Sequence, residues 1–192
     1  MPLKTFQIVN TFRYETKQTR SFIRVREIHF FEAHTAHADV EGADAQINED
    51  SGIVRRLLHD LCLPAIICKR PVWDTFPGAW YTNAVDAIMP NGRTLQIASY
   101  HHYRDQWAKA FDITYEGDDG SQKHCHQTTF GMSERLLGAV VGVHGDDAGL
   151  IMPPSIAPIQ VIVMPVATHL DDAVLPEARE MLRRLKASGI RA

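Results

Sequence analysis

The chain has 192 residues, of which 45% are hydrophobic, and it carries a formal net charge of −3 with a pI near 6.3. This length and composition allow one substantial hydrophobic core and a second, partial unit. The slightly acidic balance excludes a general electrostatic attraction to nucleic acid, so any contact with RNA must come from a local basic patch or from other parts of a longer protein.

Two further observations concern the compartment. No apolar run approaches the roughly 18 to 20 residues that cross a bilayer, and the first residues show no signal peptide. The three cysteines, Cys62, Cys68 and Cys125, cannot all pair and show no framework spacing. We therefore expect a cytoplasmic protein from a reducing compartment, with no membrane partner.

The first predicted element is an antiparallel hairpin, in which two half-apolar segments, Phe6–Tyr14 and Ser21–Phe31, flank a short polar loop. Carboxylates at Glu15 and Glu27 accompany a dense group of arginines: Arg13, Arg20, Arg24 and Arg26. A surface strand can carry such charges without a function. Because apolar residues flank the arginines, and because a guanidinium suits bidentate contact with phosphate, the pattern favours an anion-binding site.

A helix and a short strand are predicted next. Apolar residues recur at helical spacing over 41–61, with a break around Ser51-Gly52, and Pro64 ends the helix. The apolar run Ala65–Cys68 then predicts a buried strand.

Two more hairpins follow along the chain. Asn91-Gly92 supplies the positive φ angles of a tight turn between Tyr81–Pro90 and Arg93–Ser99. The other hairpin consists of Phe111–Tyr115, the turn Glu116–Gly120 and Lys123–Thr129.

A buried helix is predicted over Met132–His144, which is apolar nearly all round. Gly138 and Gly142 lie four residues apart in it, so the helix can pack closely on a sheet. Hairpins joined by helices, without βαβ alternation, indicate an α+β fold, an antiparallel sheet with helices against it.

The character of the sequence changes after the proline-rich stretch 152–158. Ile159–Val166 is almost continuously apolar, as in a strand buried on both faces. A helix is predicted to start near Asp171-Asp172, with Pro176 in its first turn, and to end at Gly189. This is the opening half of a βαβ unit without its second parallel strand, so we expect the chain to be a piece of a longer protein.

Several blocks of this sequence occur together in a known order. They are Arg13–Glu27, Phe31–His37, Trp80–Asp86, Thr94–His102, Lys109–Asp112, Gly131–Gly138, Val143–Asp147 and Leu150–Pro158. In this order they resemble the class II aminoacyl-tRNA synthetases, and most closely the proline–tRNA ligases of the archaeal and eukaryotic type. Arg13–Glu27 resembles motif 2 of that family, Gly131–Gly138 resembles motif 3, and the blocks cover nearly the whole chain.

The resemblance implies an α+β fold, an antiparallel class II synthetase-type sheet flanked by helices. Residues 1-157 would form a partial catalytic domain with motifs 2 and 3, and residues 158-192 the first βα unit of an α/β anticodon-binding domain. Family members carry, before the equivalent of Pro2, a motif 1 that builds the dimer interface and a Thr-x-Glu loop that contacts the proline amino group. This chain matches neither, so we expect impaired activity of the chain alone and leave the family's homodimer in doubt.

The implied reaction uses ATP with Mg²⁺ to activate proline as prolyl-adenylate, and then transfers the prolyl group to tRNA(Pro); DNA is not a partner. The proline carboxylate attacks the α-phosphorus of ATP, and pyrophosphate leaves. Because the attacking group is already an anion, positioning and neutralisation of charge on the phosphorus replace a side-chain nucleophile.

The resemblance also assigns roles to single residues. Arg13 and Arg135 fall on the catalytic arginines of motifs 2 and 3, which hold the α-phosphate and the distal phosphates. The implied ATP-binding residues are Arg13, Glu15, Arg24, Gln96, Ser99, Ser133 and Arg135, and the implied proline-binding residues are His101 and Trp80. Ile28 lies where many family members place an aromatic ring over the adenine, which implies apolar packing there instead of stacking.

Arg135 carries an argument that does not depend on the family. It is the only cation in the predicted apolar helix, and a buried guanidinium stays charged, so it needs an anionic partner. The alternative to a nucleotide phosphate is an ion pair with Glu134, Asp146 or Asp147.

A structural zinc site is not expected. His34 and His37 could share one helix face, and His124-Cys125-His126 is rich in ligand types. However, alternate strand residues point to opposite faces, and no Cys-x-x-Cys pair accompanies them.

Two other functions stay open at this point. One is a non-catalytic synthetase-like paralogue that binds nucleotide or a partner protein, and the other is an amino-acid-activating enzyme that loads a carrier other than tRNA. The retained arginines argue against complete loss of a nucleotide site.

Overall fold

The computed structural model describes residues 1–16, 18–166 and 174–192. The elements of the first half are β1 (Leu3–Phe12), β2 (Glu27–His37), α1 (Val40–Asp60), β3 (Ala65–Lys69), a 3₁₀ turn (Val72–Asp74), β4 (Tyr81–Ile88) and β5 (Thr94–Arg104). Those of the second half are α2 (Gln106–Ala110), β6 (Thr114–Glu116), β7 (Gln122–His124), β8 (His126–Ser133), α3 (Arg135–His144) and α4 (Val174–Ala187). No helix within the described ranges is long and apolar enough to span a membrane.

Six strands form one antiparallel sheet in the order β1-β2-β8-β5-β4-β3, and β6 pairs with β7 separately. Helices α1 and α3 cover one face of the six-stranded sheet, and their apolar side chains form the core together with those of β4, β5 and β8. This arrangement confirms the predicted α+β fold. At the β1 edge several large apolar side chains stay more than half exposed: Leu3, Phe6, Ile8 and Phe12.

The predicted first hairpin is confirmed as a strand pair, but its second segment begins later than expected. The β1–β2 ladder runs from Leu3 opposite Ala36 to Phe12 opposite Glu27. The prediction that Ser21 opens this strand is wrong. Residues 20–24 instead form a separate turn closed by a bridge between Arg20 and Arg24.

Helix α1 runs without interruption from Val40 to Asp60, so the predicted break around Ser51-Gly52 is wrong. A helical glycine costs about 1 kcal/mol relative to alanine, and the buried face of the helix outweighs that cost. That face consists of Ala43, Gln46, Ile47, Asp50, Val54 and Leu58. Asp39 caps the helix, because its carboxylate accepts a hydrogen bond from the backbone N–H of Gly42 at 2.7 Å.

Strand β3 is confirmed, although it lies at the sheet edge and its Ile66 is half exposed, so the prediction that it is buried holds only in part. The hairpin Tyr81–Ser99 is confirmed, and β5 continues to Arg104.

The prediction that Lys123–Thr129 forms a single strand of the third hairpin is wrong, because the segment is divided between two sheets. Residues 122–124 pair with β6, whereas residues 126–133 join the central sheet between β2 and β5. The following helix begins at Arg135 and not at Met132, because Met132 and Ser133 still pair with Phe31 and Phe30 of β2.

Residues 159–166 form no strand, so the predicted strand Ile159–Val166 is wrong. A strand needs a hydrogen-bonded neighbour, and in this segment the backbone N–H groups of Gln160 and Val161 donate to the carbonyl of Arg191 instead. Helix α4 is confirmed with Pro176 in its first turn and Gly189 after its end at φ 76°. The predicted start near Asp171-Asp172 lies outside the described residues.

The core contains two buried imidazoles, and they predict acid sensitivity. Burial lowers the pKa of His37 and His102 below the ordinary value of 6.5, and that of the partly buried His101 to about 4, so the unfolded chain takes up protons that the folded chain does not. Their contribution to stability is therefore present above about pH 6.5 and is lost as the pH falls below it. We expect the free energy of unfolding in urea to be lower at pH 5 than at pH 7.5.

His102→Gln should reduce this drop, whereas His59→Gln should leave it unchanged, because the His59 side chain is 88% exposed. If the free energy of unfolding of His102→Gln falls between pH 7.5 and pH 5 as much as that of the unchanged chain, His102 does not contribute to the acid sensitivity.

Candidate functional site

The loop that follows β1 lies against the start of α3. Its backbone is closed by a hydrogen bond from the N–H of Arg13 to the carbonyl of Arg26 at 2.8 Å. Phe22, which has a positive φ of 60°, and Ile23 approach Gly138 of α3 so closely that a Cβ atom there would lie 2.7 Å from Ile23 Cδ1. The close approach predicted for Gly138 is therefore made to this loop and not to the sheet.

Gly138→Ala should weaken ATP binding about three- to tenfold, because the added methyl group would also lie 3.1 Å from Phe22 Cβ and so displace the loop that carries Arg24. The matched control is Gly52→Ala in α1, where the new methyl group meets open space and should leave the ATP affinity unchanged. Titration calorimetry measures both affinities. Equal ATP affinities in the two variants would mean that the loop position does not affect binding.

Arg135 connects this loop to the central sheet. Its Nε donates to the carbonyl of Ile23 at 2.9 Å, and its Nη1 donates to the carbonyl of Gln96 at 3.3 Å. Burial, followed by the charges of Arg13 and Arg24, lowers the pKa of the Arg135 guanidinium below its ordinary value. Among the described residues no carboxylate lies within ion-pair distance of Arg135, so the alternative ion pair with Glu134, Asp146 or Asp147 is not formed there.

Glu15 holds the other two guanidiniums of the site. It is buried, and its carboxylate accepts from Arg24 Nε at 2.8 Å and lies 3.9 Å from Arg13 Nη1. The side chains of Arg13 and Arg24 are 63% and 43% exposed, so both can still reach a ligand. Three guanidiniums, of Arg13, Arg24 and Arg135, and two carboxylates, of Glu15 and Glu134, line this part of the molecule, which leaves an excess of positive charge that suits a polyphosphate.

Two adjoining clefts bring the predicted ATP-binding residues together. One, of about 100 Å³, is lined by Arg13, Glu15, Arg24, Ser133 and Arg135, and the other, of about 180 Å³, by Arg13, Gln96, Ser99, Ser133 and Arg135. All seven predicted residues therefore line one or both of two clefts that share Arg13, Ser133 and Arg135. Ile28 borders both clefts and Phe30 borders the second.

His101 lies beyond Ser99 on the same face of β5. Its Nε2 is 3.1 Å from Ser99 Oγ, and its ring centroid is 4.6 Å from that of Phe76. Burial lowers the pKa of His101 to about 4, so the imidazole is neutral at pH 7.

The structure does not bring Trp80 to His101. The Trp80 ring contacts Tyr81 and His102, with the Arg104 guanidinium 3.5 Å from its centroid, and His102 points to the face opposite His101. The aromatic side chain beside His101 is Phe76, which the sequence reasoning missed. Phe76 sits in an irregular loop, where strand alternation gives no signal.

Phe30 was missed as well. Two-residue alternation from Ile28 along β2 would have placed Phe30 on the cleft side.

No group of three or more His, Cys, Asp or Glu that could hold a metal ion occurs in the described part of the chain. Glu134 Oε2 is nevertheless buried beside the smaller cleft without a hydrogen-bond partner among those residues.

An antiparallel sheet with phosphate-suited arginines on its β1–β2 loop and on helix α3 defines the class of the protein. Residues 1–144 match the model of the tRNA synthetase class II core domain of the G, H, P, S and T type, and the chain belongs to that family.

Within the family, the chain is similar to archaeal proline–tRNA ligases. It is 54% identical to that of Pyrococcus abyssi over 193 residues and 52% identical to that of Thermoplasma acidophilum over 191 residues. In both cases the match covers 100% of this chain, and the chain spans 40% and 41% of the length of these relatives.

Solved structures give the same result. The Giardia lamblia prolyl-tRNA synthetase in complex with prolyl-adenylate superimposes with a TM-score of 0.92 at 38% identity, over 100% of this chain and 39% of its own. The Cryptosporidium parvum prolyl-tRNA synthetase with L-proline and AMP gives 0.93 at 30% identity, over 100% and 42%.

Proposed function

We propose that the chain provides the nucleotide site and part of the proline site of a proline–tRNA ligase, which activates proline with ATP and transfers it to tRNA(Pro). The observation that carries this proposal is the single depression lined by Arg13, Arg24 and Arg135 around buried Glu15. The ligands named for the Giardia and Cryptosporidium relatives, prolyl-adenylate, proline and AMP, support it.

In this proposal the arginines act on the reacting phosphate. The proline carboxylate oxygen forms a bond to the α-phosphorus of ATP, and the bond from that phosphorus to the bridging oxygen breaks and releases pyrophosphate. Arg13 neutralises charge on the α-phosphate, while Arg135 and Arg24 hold the distal phosphates. Gln96, Ser99 and Ser133 supply polar contacts, and Ile28 packs against the adenine.

Proline would lie beside His101, with Phe76 as the apolar wall. The neutral imidazole fits this place, because it adds no positive charge next to the proline ammonium. Trp80 stays a prediction without a contact that supports it.

The Mg²⁺ that the family implies fits this site as a cation held mainly through the nucleotide. Mg²⁺ usually binds to substrate phosphates and to one or two carboxylates, and the unpartnered oxygen of Glu134 offers that chemistry. When bound, Mg²⁺ would withdraw charge from the pyrophosphate leaving group.

The remaining assignments rest on the resemblance. Residues 1–157 form the catalytic part and residues 158–192 begin the anticodon-binding part, in a cytoplasmic protein that meets tRNA(Pro). The basic loop after β1 is the local patch through which a polyanion is attracted despite the overall charge of −3.

Titration calorimetry with non-hydrolysable analogues of prolyl- and alanyl-adenylate tests the proposal. We expect the prolyl analogue to bind at least about tenfold more tightly, because a pocket shaped for the pyrrolidine ring gains apolar contact. Equal affinities would indicate a nucleotide-binding paralogue that does not recognise proline. No binding of either analogue would contradict a nucleotide site.

A further inference from the structure

Four polar groups next to the candidate site form a chain of three hydrogen bonds that crosses from β4 to β5. The backbone N–H of Phe76 donates to Thr82 Oγ1 at 3.0 Å, and Thr82 Oγ1 lies 2.9 Å from His101 Nδ1. On the other side of the imidazole ring, His101 Nε2 lies 3.1 Å from Ser99 Oγ. Thr82 is only 4% exposed, so water does not compete for its hydroxyl group.

The direction of each hydrogen bond follows from the number of donors and acceptors. A backbone N–H can only donate, so Thr82 Oγ1 accepts from Phe76. The hydroxyl hydrogen of Thr82 then needs an acceptor, and among the described residues only His101 Nδ1 is within reach. The opposite arrangement, with Nδ1–H donating to Thr82, would leave a buried hydroxyl hydrogen without a partner.

We propose that Thr82 is a positioning residue that fixes His101 in the tautomer with its proton on Nε2, and thereby makes Ser99 a hydrogen-bond donor to the substrate. The neutral ring carries one proton, and Nδ1 accepts from Thr82, so Nε2–H donates to Ser99 Oγ. The hydroxyl hydrogen of Ser99 is then free to point into the cleft that Ser99 lines together with Arg13 and Gln96.

The consequence is a preference for an acceptor oxygen in the substrate at Ser99. A carboxyl or phosphoryl oxygen of an aminoacyl-adenylate meets this requirement, whereas a group that can only donate does not. This last step, the identity of the ligand, rests on the proposed function; the tautomer of His101 does not.

Long-range ¹H–¹⁵N correlation spectra of the chain labelled at its 10 histidines measure the tautomer directly. The His101→Gln variant assigns the signals of His101 by their loss. At pH 7 we expect the ¹⁵N shift of an unprotonated nitrogen at Nδ1 and that of a protonated nitrogen at Nε2. The reverse pattern would overturn the proposal.

Variants of Thr82 test its role as the cause. Thr82→Ser keeps the hydroxyl group and should keep the Nε2–H tautomer, whereas Thr82→Val should shift the population towards Nδ1–H. The matched control is Thr75→Val in the loop that carries Phe76. The Thr75 hydroxyl donates to the carbonyl of Pro71, so its loss should leave the His101 signals unchanged. An unchanged tautomer in folded Thr82→Val would overturn the positioning role. If Thr82→Val does not fold, the tautomer of His101 in the wild-type chain and in Thr82→Ser decides the proposal.

The role of Ser99 as a hydrogen-bond donor to the substrate is tested by a binding measurement, separately from the spectra. In Ser99→Ala the tautomer should persist, while the affinity for the prolyl-adenylate analogue should fall about tenfold. Unchanged affinity in Ser99→Ala would overturn the donor role. If the chain binds no adenylate analogue at all, the proposed function and the donor role fail together, while the spectra still decide the tautomer.

Discussion

Replacing Arg135 with alanine should lower the affinity of the chain for ATP about 100-fold, the largest effect expected of any single substitution in the site. A hydrogen bond to a charged group contributes about 1.5–3 kcal/mol, and each 1.4 kcal/mol is tenfold in affinity. Arg135 also holds the carbonyls of Ile23 and Gln96, so its loss loosens two walls of the cleft. Titration calorimetry with ATP and Mg²⁺ measures the change.

Two variants control this prediction. Arg93→Ala removes an exposed arginine in the turn between β4 and β5, away from the cleft, and should bind ATP like the unchanged chain. Arg135→Lys should recover only part of the affinity, because a lysine lacks the guanidinium fork. Equal ATP affinity in Arg135→Ala and the unchanged chain would remove Arg135 from the site.

Amide hydrogens in α4 should exchange at least about 1000-fold faster than those in the centre of α1, because local opening of α4 exposes much less new apolar surface than opening of α1. Helix α4 has no buried residue, whereas α1 buries six. Large apolar side chains in 159–166 are exposed too, including Ile159, Ile162, Met164 and Val166. An apolar cleft of about 450 Å³ lies between this segment and α4.

Arg191 links the C-terminal residues to the turn at residues 154–157 and to the start of segment 159–166. Its guanidinium donates to the carbonyls of Pro154, Ser155 and Ala157 at 2.9–3.0 Å. Arg191→Ala should therefore speed exchange in residues 159–166 further, whereas Arg184→Ala should not. Uniform protection in α1 and α4 would mean that residues 159–192 are as stable as the core.

The sequence predicts the elements whose signals are local. Asn91-Gly92 marks a tight turn, and Gly189 ends α4 at a positive φ of 76°. The residues at which a strand begins and ends depend on the neighbouring strands and are harder to predict. Residues 122–130 contain no glycine or proline that would mark a break, yet the chain leaves one sheet and enters another at Cys125.

The same limit applies to the site. Arg13, Arg24 and Arg135 are recognisable because a guanidinium in apolar surroundings has few structural uses. The position of Phe76 could not be derived, because it depends on how the loop 70–80 folds back over β5. For Trp80 the sequence prediction was misleading. Trp80 is close in sequence to residues that line the family's pocket, but its ring contacts His102 on the opposite face of the sheet.

A crystal structure of the chain with a non-hydrolysable prolyl-adenylate analogue would show whether the arginine-lined cleft binds the adenylate. We expect the group replacing the phosphate to lie within hydrogen-bond distance of Arg13, with the adenine against Ile28 and the prolyl ring beside His101 and Phe76. An analogue bound elsewhere on the molecule, or a cleft without analogue at saturating concentration, would contradict it.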